Sequence, residues 1–126
     1  MNPALNMTLT PVPEAAAAPS LDDPTPGGRL RVDPERLADL CRRNHVARLS
    51  LFGSRLKGTA RPDSDVDLLV QFEPDAGISL FDMVRIEQEL SDLLGGHRVD
   101  LRTPAELSRY FRDEVVNTAA PQYVAH

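Results

Sequence analysis

Two aspartates stand inside an otherwise apolar run of this 126-residue chain, the segment SDVDLLVQF at positions 64–72. Side chains alternate between the two faces of a β-strand, so Asp65 and Asp67 share one face with Leu69. The other face is wholly apolar and consists of Val66, Leu68 and Val70. Two like charges about 4 Å apart repel by roughly 4 kcal/mol at an effective dielectric constant of 20. A fold that keeps both carboxylates together therefore needs a cation between them.

A third aspartate, Asp100, interrupts a second apolar stretch, HRVDLR at 97–102, which predicts another short strand. If this strand lies beside the first, Asp100 reaches the face that carries Asp65 and Asp67. Three carboxylates on adjacent strands suit a pair of Mg²⁺ ions, because hard cations prefer oxygen ligands and a two-metal site spans about 3.5–4 Å. Taken alone, Asp100 would equally suit a surface position.

Two simpler explanations of the acidic segment account for it less well. An EF-hand loop beginning at Asp63 would need glycine at its sixth position and glutamate at its twelfth. Those positions hold Leu68 and Pro74, so the spacing excludes a calcium loop of this kind. A solvated strand end would explain Asp63 and Asp65, but Asp67 is followed directly by three apolar residues. A metal-binding face remains the better interpretation.

A glycine-serine pair, Gly53-Ser54, follows another predicted strand, VARLSLF at 46–52. A glycine after a strand lets the backbone approach a ligand closely, and backbone N–H groups with a serine hydroxyl can cradle phosphate oxygens. Arg55 and Lys57 could neutralise triphosphate charge, although a solvated loop explains each of them about as well. Placed before the paired carboxylates, this loop predicts the phosphate half of a magnesium–nucleotide site.

Proline content separates a tail from a domain. Residues 1–28 hold six of the eleven prolines and end in two glycines, which predicts a disordered tail followed by one small domain at 29–126. Asp33 and Pro34 predict the start of a first helix that runs to about Asn44. The predicted order is helix, strand, strand, helix, strand, helix, which is an α/β arrangement.

The last two predicted helices carry apolar stripes. Ser79 predicts the cap of the first of them, whose stripe consists of Leu80, Met83, Ile86, Leu90, Leu93 and Leu94. The segment TPAE at 103–106 predicts a capping box that opens the final helix. That helix is expected to bury Leu107, Tyr110, Phe111 and Val115, and the chain end is expected to pack through Tyr123.

Composition narrows the classes of function. The formal net charge of -5 disfavours direct nucleic-acid binding, which normally needs a basic face. The single cysteine, Cys41, excludes an internal disulfide and is expected to lie buried on the first helix. No apolar run approaches the 18 or so residues of a membrane span, and the N-terminus lacks a signal-peptide pattern. A soluble, cytoplasmic protein is the expectation.

These motifs resemble the DNA polymerase β-type nucleotidyltransferases, and most closely the minimal nucleotidyltransferases that act as antitoxins to HEPN-domain toxins. Their pattern of Gly-Ser, ten residues and Asp-x-Asp is matched by Gly53-Ser54 and Asp65-Val66-Asp67 without a gap. The resemblance covers about residues 33–126 and includes the Ser-Asp pair at 64–65, the aspartate of VDL and the helix segment YFRDEVV. It implies a small mixed sheet flanked by helices.

The resemblance also implies roles for individual residues. Asp65 and Asp67 would bind both of two Mg²⁺ ions, and Asp100 would bind one ion and serve as the base for the attacking hydroxyl. The residues expected at the nucleotide are Gly53 and Ser54 on the β- and γ-phosphates, with Arg55, Lys57 and Ser64 as further candidates.

The implied activity is the transfer of AMP from ATP to a hydroxyl, expected to be a tyrosine, of a cognate HEPN-domain ribonuclease toxin. Two alternatives stay open. The chain could silence the toxin by binding and masking it without catalysis. It could also modify a small molecule, as aminoglycoside nucleotidyltransferases do, although these usually carry an additional substrate-binding segment. The sequence leaves open the nucleotide preference, the acceptor residue, the stoichiometry and the role of the tail.

Overall fold

Helices and strands alternate along residues 23–125, which are the residues that the computed structural model describes. The elements are α1 (Pro34–Arg43), β1 (Val46–Phe52), α2 (Ser54–Lys57), β2 (Val66–Phe72), α3 (Leu80–Leu93), β3 (Val99–Arg102), α4 (Arg109–Thr118) and β4 (Ala120–Val124). Two short 3₁₀ helices lie outside this set, at Pro26–Gly28 and Pro104–Glu106.

The four strands form one mixed sheet in the order β3-β2-β1-β4. Strand β1 is antiparallel to both β2 and β4, whereas β2 and β3 are parallel. A parallel pair needs a long crossover connection, and α3 supplies it here. The parallel register sets Asp67 directly opposite Asp100. The predicted mixed α/β fold is confirmed, and so is the predicted adjacency of these two strands.

The two faces of β2 have the different environments that the alternation predicts. Val66, Leu68 and Val70 are fully buried in the main core, beneath helices α1 and α3. Leu69 lies on the opposite face, in a small second cluster with Phe52, Leu107, Val115 and partly buried Ala119. Asp67 lies on this second, thinly covered face and is partly buried. The aspartates therefore sit beside a small apolar patch rather than within the main core.

Helices α1 and α3 start where their caps predict. The Asp33 carboxylate accepts a hydrogen bond from the backbone N–H of Glu35 at 2.9 Å. Ser79 and Asp82 form a reciprocal capping box at the start of α3. Within α3, Ile86 and Leu90 are buried as predicted, whereas Leu80 is 83% exposed. The apolar stripe is thus wrong at its first turn.

The final helix differs from its prediction in both start and burial. The capping box at 103–106 is present, but it caps a 3₁₀ turn, and α4 begins only after Ser108. Leu107 and Val115 are buried, yet Tyr110 is 88% exposed and Phe111 is half exposed. The reason is that α4 covers only the small second cluster, which is too narrow to bury every apolar side chain of the helix.

The chain end forms an additional strand that the sequence pattern did not predict. Strand β4 pairs with β1 in antiparallel orientation, with Tyr123 opposite Leu49. Tyr123 packs against the main core, as expected. Pro121 disfavours a strand because it has no backbone N–H, but an edge strand tolerates this loss. A single-turn helix, α2, likewise replaces the predicted loop after Gly53.

Residues 23–31, which we call the strap, pack against the rest of the described chain, although the predicted tail extends to residue 28. Thr25 is buried, and the carbonyl of Gly28 accepts a hydrogen bond from the Gln122 side chain at 3.0 Å. The same side chain accepts from the Leu30 N–H at 2.8 Å. Residues 1–22 of the predicted tail lie outside the described residues, and their disorder stays a prediction.

The strap makes a prediction about truncation. Deleting residues 1–22 should change the melting temperature by less than about 2 °C, because this proline-rich segment has few large apolar side chains to bury. Deleting 1–28 should lower it by about 5 °C or more, since about 1 kcal/mol shifts a domain of this size by that amount. Thermal melts of both truncations check this, and equal melting temperatures would show that the strap contributes nothing.

Two further sequence expectations can be compared with the structure. Cys41 is fully buried on α1, and burial raises the pKa of its thiol to about 12. The thiol is therefore unreactive at neutral pH. Within residues 23–125, no helix has the length and apolar character needed to cross a membrane.

Candidate active site

Three aspartates come together where β2 and β3 begin. Asp67 on β2 lies opposite Asp100 on β3, and Asp65 lies two residues before Asp67, just ahead of the strand. The pKa of Asp67 is raised, first by desolvation and then by the negative charges of Asp100 and Asp65. The charges of Arg102 and Arg55 act on Asp67 in the opposite direction. Negative charge is therefore concentrated at this point of the sheet, as the sequence predicts.

Gly53 makes room for the central carboxylate. It follows the last residue of β1 and has a φ of 78° and a ψ of -157°, a conformation open essentially only to glycine. A Cβ atom at this position would overlap the Asp67 carboxylate. The register explains the contact, since Phe52 pairs with Asp67 across the two antiparallel strands. Glycine is thus required for the backbone to pass this closely by Asp67, a reason that the sequence did not indicate.

Arg55 supports the loop ahead of the aspartates. Its side chain is only 5% exposed, and its guanidinium donates to the Ser64 carbonyl from both Nε and Nη2, at 3.2 and 2.7 Å. Further donations reach the carbonyls of Pro62 and Arg61, and Nη1 lies 3.8 Å from the Asp23 carboxylate in the strap. The hydrogen bonds from Nε and Nη2 hold the loop at 61–64, and the predicted role of Arg55 at a phosphate stays a prediction.

Three predicted nucleotide contacts remain, and Ser54 is the first residue of α2. The Ser64 hydroxyl accepts from the Arg61 N–H at 2.8 Å, so it closes the turn that leads into Asp65. Lys57 lines a cavity of about 630 Å³ between the strap and α2, together with Arg61 and His97. None of the three aspartates lines this cavity. Ser64 therefore lies in the turn directly before Asp65, whereas Lys57 lies at a cavity that the three aspartates do not line.

Two arginines beside the aspartates went unnoticed in the sequence. Arg102 donates to both carboxylate oxygens of Asp100, from Nε to Oδ1 at 3.0 Å and from Nη2 to Oδ2 at 3.3 Å. Arg98 approaches Asp65 with 3.8 Å between Nε and Oδ1. The signal was present, because residues two apart on a strand share a face, as Asp100 and Arg102 do.

These contacts decide how well the carboxylates fit a divalent cation. The donor set fits, since three aspartates at neighbouring strands offer the oxygen ligands that Mg²⁺ prefers. Across residues 23–125, however, no three His, Cys, Asp or Glu side chains are grouped so that they could hold an ion as they stand. Asp100 is bound to Arg102 instead. A cation site that used all three carboxylates would therefore require the Asp100 side chain to leave its arginine partner.

A mixed sheet that gathers three carboxylates beside a glycine-serine turn is the arrangement expected of a nucleotidyltransferase. The chain belongs to the family described as "Nucleotidyltransferase domain", whose profile matches residues 35–121. The family expected from the sequence is therefore confirmed.

Curated relatives agree with this assignment. "Putative protein adenylyltransferase MJ0435" of Methanocaldococcus jannaschii is 38% identical over 74 residues, which are 59% of this chain and 76% of the relative. "Protein adenylyltransferase MntA" of Thermococcus cleftensis is 44% identical over 63 residues, 50% of this chain and 61% of that protein. The chain is an enzyme of the nucleotidyltransferase class, as the sequence predicts.

Solved structures share the fold. One titled "Structure of putative minimal nucleotidyltransferase" is 41% identical, covers 70% of this chain and 87% of its own, and superposes with a TM-score of 0.59. A second, "Crystal structure of the toxin-antitoxin with AMP-PNP", is 23% identical with a TM-score of 0.58, and covers 75% of this chain and 76% of its own. The second likeness, at this identity, concerns the fold alone.

Proposed function

We propose that this protein is an antitoxin that transfers AMP from ATP to a tyrosine hydroxyl of a cognate HEPN-domain toxin in the cytoplasm, and thereby silences it. The observation that carries the proposal is the placement of Asp67 opposite Asp100, next to Asp65 and against the backbone of Gly53. The named activity of two relatives, protein adenylyltransferase, supports AMP as the transferred group and a protein as the acceptor.

Each of the site residues would have a distinct role in this reaction, according to its position. A phenolic hydroxyl has a pKa near 10, so it is a poor nucleophile at neutral pH. Mg²⁺, when bound, lowers the pKa of that hydroxyl and offsets the negative charge of the phosphates. Asp65 and Asp67 would hold the cations, two in number, while Asp100 would contribute to one site and accept the hydroxyl proton. The tyrosine oxygen would bond to the α-phosphorus as the bond from that phosphorus to the bridging oxygen breaks, and pyrophosphate would leave with the released charge. Gly53 and Ser54 would face the phosphate oxygens beyond the end of β1.

Substrate alignment is the second contribution of this arrangement. The aspartates and the Gly53-Ser54 turn lie on one short stretch of the sheet, with Phe52 as the link between β1 and that turn. Holding the acceptor oxygen and the α-phosphate in line converts a collision between two molecules into a reaction within one complex. Arg55 serves this alignment indirectly, because it fixes the loop from which Asp65 and Asp67 emerge.

A protein acceptor is also supported by the surface of the domain. Leu80, Phe81 and Val84 on the first turns of α3 are 83%, 88% and 66% exposed. Clusters of large apolar side chains in water mark surfaces that bind other proteins. Solved relatives of the same fold include a structure titled as the toxin-antitoxin MntA-HepT, with a TM-score of 0.52 and 20% identity. The same exposed cluster also favours the second candidate, an antitoxin that masks its toxin without modifying it.

Substituting Asp100 separates these two functions. Asp100→Asn is nearly isosteric, so it should retain toxin binding while it removes the base and weakens one cation site. We expect the variant to bind the toxin and to leave its mass unchanged, whereas wild-type protein with ATP and Mg²⁺ should add one or more adenylyl units. Mass spectrometry of the toxin after separation of the complex measures the difference, and a ribonuclease assay shows whether the toxin regained activity.

A matched control uses the same chemical change at an exposed aspartate on another element. Asp113 is exposed on α4, so Asp113→Asn should modify the toxin at the wild-type rate. Masking would be favoured by full protection of cells by Asp100→Asn at normal expression, together with toxin from wild-type cells that carries no added mass. That pair of results would overturn the catalytic proposal.

A further inference from the structure

Arg102 forms two hydrogen bonds to the carboxylate of Asp100, the proposed base of the reaction. Its Nε and Nη2 atoms each donate to a different oxygen of Asp100, at 3.0 and 3.3 Å. Such fork-to-fork pairs are the strongest form of the arginine–carboxylate contact. Both side chains are partly exposed, at 46% for Arg102 and 34% for Asp100, so water and ions can reach the pair. The two hydrogen bonds are therefore well oriented, yet a cation from solvent can reach the Asp100 carboxylate and replace Arg102.

A divalent cation and this guanidinium compete for the same atoms. Mg²⁺ binds carboxylate oxygens at about 2.0–2.1 Å and demands near-octahedral geometry. With both oxygens of Asp100 directed at Arg102, the carboxylate is not free to join Asp65 and Asp67 around an ion. The guanidinium also carries a positive charge that repels an arriving cation. Removing that charge should raise cation affinity, and releasing Asp100 should raise it further.

The three carboxylates explain why such a partner is useful. Asp67 and Asp100 face each other across a parallel strand pair, and Asp65 lies two residues away. Without a cation, these like charges repel, and a neighbouring arginine offsets that repulsion. We propose that Arg102 is the internal counter-ion of the carboxylate site, holding Asp100 until a divalent cation binds and releasing it when the cation arrives.

This proposal rests on the proposed function, since it assumes that the aspartates bind a divalent cation. It makes Arg102 a positioning residue that acts through Asp100. In the cation-free protein it holds both oxygens of that carboxylate. Cation binding then both neutralises Asp65 and Asp67 and frees Asp100, so that the three side chains become a site together.

The chain offers a matched comparison for the role of Arg102. Arg98 also pairs with a site aspartate, but its Nε lies 3.8 Å from the Asp65 carboxylate and its side chain is 84% exposed. Exposed pairs of this length contribute little, because water and salt screen them. Substituting either arginine by glutamine removes one positive charge near the aspartates. Only Arg102→Gln also frees a carboxylate held at both oxygens.

The test measures Mn²⁺ binding to the full-length, nucleotide-free protein by isothermal titration calorimetry. Two elementary charges of the ion and one of Arg102, about 6 Å apart in a water-like medium, interact strongly enough to change affinity about tenfold before screening. We expect Arg102→Gln to bind Mn²⁺ about 3- to 10-fold more tightly than wild type. Arg98→Gln should stay within about 2-fold of wild type.

Thermal melts supply a second readout that does not depend on activity. Without cation, Arg102→Gln should melt below wild type, because the repulsion among the aspartates is no longer offset. Saturating Mn²⁺ should raise the melting temperature of the variant by more than it raises that of wild type. Arg102→Lys, which keeps the charge but lacks the fork, should give an intermediate Mn²⁺ affinity and serves if the glutamine variant fails to fold.

The outcomes separate this proposal from the one on which it rests. One outcome would overturn the counter-ion role and leave the cation site standing. In it, wild type binds Mn²⁺ and Asp67→Asn does not, but Arg102→Gln and Arg102→Lys bind Mn²⁺ with the wild-type affinity or more weakly. Equal tightening by Arg98→Gln would also overturn it, since a general change in charge would then suffice. Absence of Mn²⁺ binding by wild type, with nucleotide or without, would overturn both.

Discussion

Replacing Asp67 by asparagine should abolish transfer of label from ATP, with a loss of about 1000-fold or more, while the cation-free protein becomes as stable as wild type or more so. The activity falls because Asp67 is the proposed ligand of both cations, and such ions lower the activation barrier by several kcal/mol. Stability does not fall, because ionised Asp67 is partly desolvated and faces Asp100 and Asp65. Label transfer with Mg²⁺ and thermal melts without it measure the two effects, and Asp65→Asn should lose transfer similarly.

The stability effect of Asp67→Asn should depend on pH in a defined direction. The folded-state pKa of Asp67 is raised above its ordinary value of 3.8, first by desolvation and then by Asp100 and Asp65. Ionised Asp67 therefore costs stability at any pH above the raised pKa, and the cost fades as the pH falls towards 3.8. The advantage of the variant in melting temperature should be largest at neutral pH and vanish near pH 3.8.

Asp113→Asn is again the control, since an exposed aspartate on α4 should show no such trend. A lower melting temperature for Asp67→Asn at neutral pH would contradict the electrostatic account. Full transfer activity in both purified variants, Asp65→Asn and Asp67→Asn, would instead contradict the assignment of the reaction to these carboxylates.

Gly53→Ala should damage both stability and activity with the addition of one methyl group. The backbone at Gly53 has a conformation that disfavours any side chain by about 1–3 kcal/mol, and the new Cβ would overlap the Asp67 carboxylate. We expect a loss of about 2 kcal/mol or more in the free energy of unfolding. Transfer should fall by about 100-fold or more, because Asp67 must move. Urea denaturation and the label-transfer assay measure these changes.

Gly77 provides the matched control for this substitution. It also has a positive φ, 66°, but a Cβ added there meets nothing within 4 Å. Gly77→Ala should therefore cost about 1 kcal/mol through backbone strain alone and leave transfer unchanged. Wild-type activity and stability in Gly53→Ala would show that the close approach of Gly53 to Asp67 is not required.

Local patterns in the sequence were sufficient for most of the elements. The N-caps at Asp33 and Ser79 and the alternation along β2 were read correctly because each depends on residues a few positions apart. The anomaly of Asp67 in an apolar strand belongs to the same kind of signal. An unneutralised carboxylate in such a strand is costly wherever the strand lies, so it indicates a site before the fold is known.

Those local patterns could not predict contacts between distant parts of the chain. Strand β4 forms by pairing with the edge of β1. Because proline disfavours strands, Pro121 gives this segment a low β-propensity, and the sequence pattern does not predict it. The first turns of α3 and α4 have apolar residues that periodicity assigns to a core, but Leu80 and Tyr110 are exposed in the structure. Burial depends on the extent of the neighbouring layer, which helical spacing does not encode.

The site shows the same division. By itself, the sequence predicted that Asp65, Asp67 and Gly53-Ser54 belong to one site, because each of the two motifs spans only a few residues. Only the tertiary structure showed that the Arg55 guanidinium donates to backbone carbonyls of the loop at 61–64, and that Arg102 donates to both oxygens of Asp100. A charged side chain takes whichever partners the fold brings within reach, and those partners here are backbone carbonyls and a carboxylate whose positions depend on the packed loop and the paired strands.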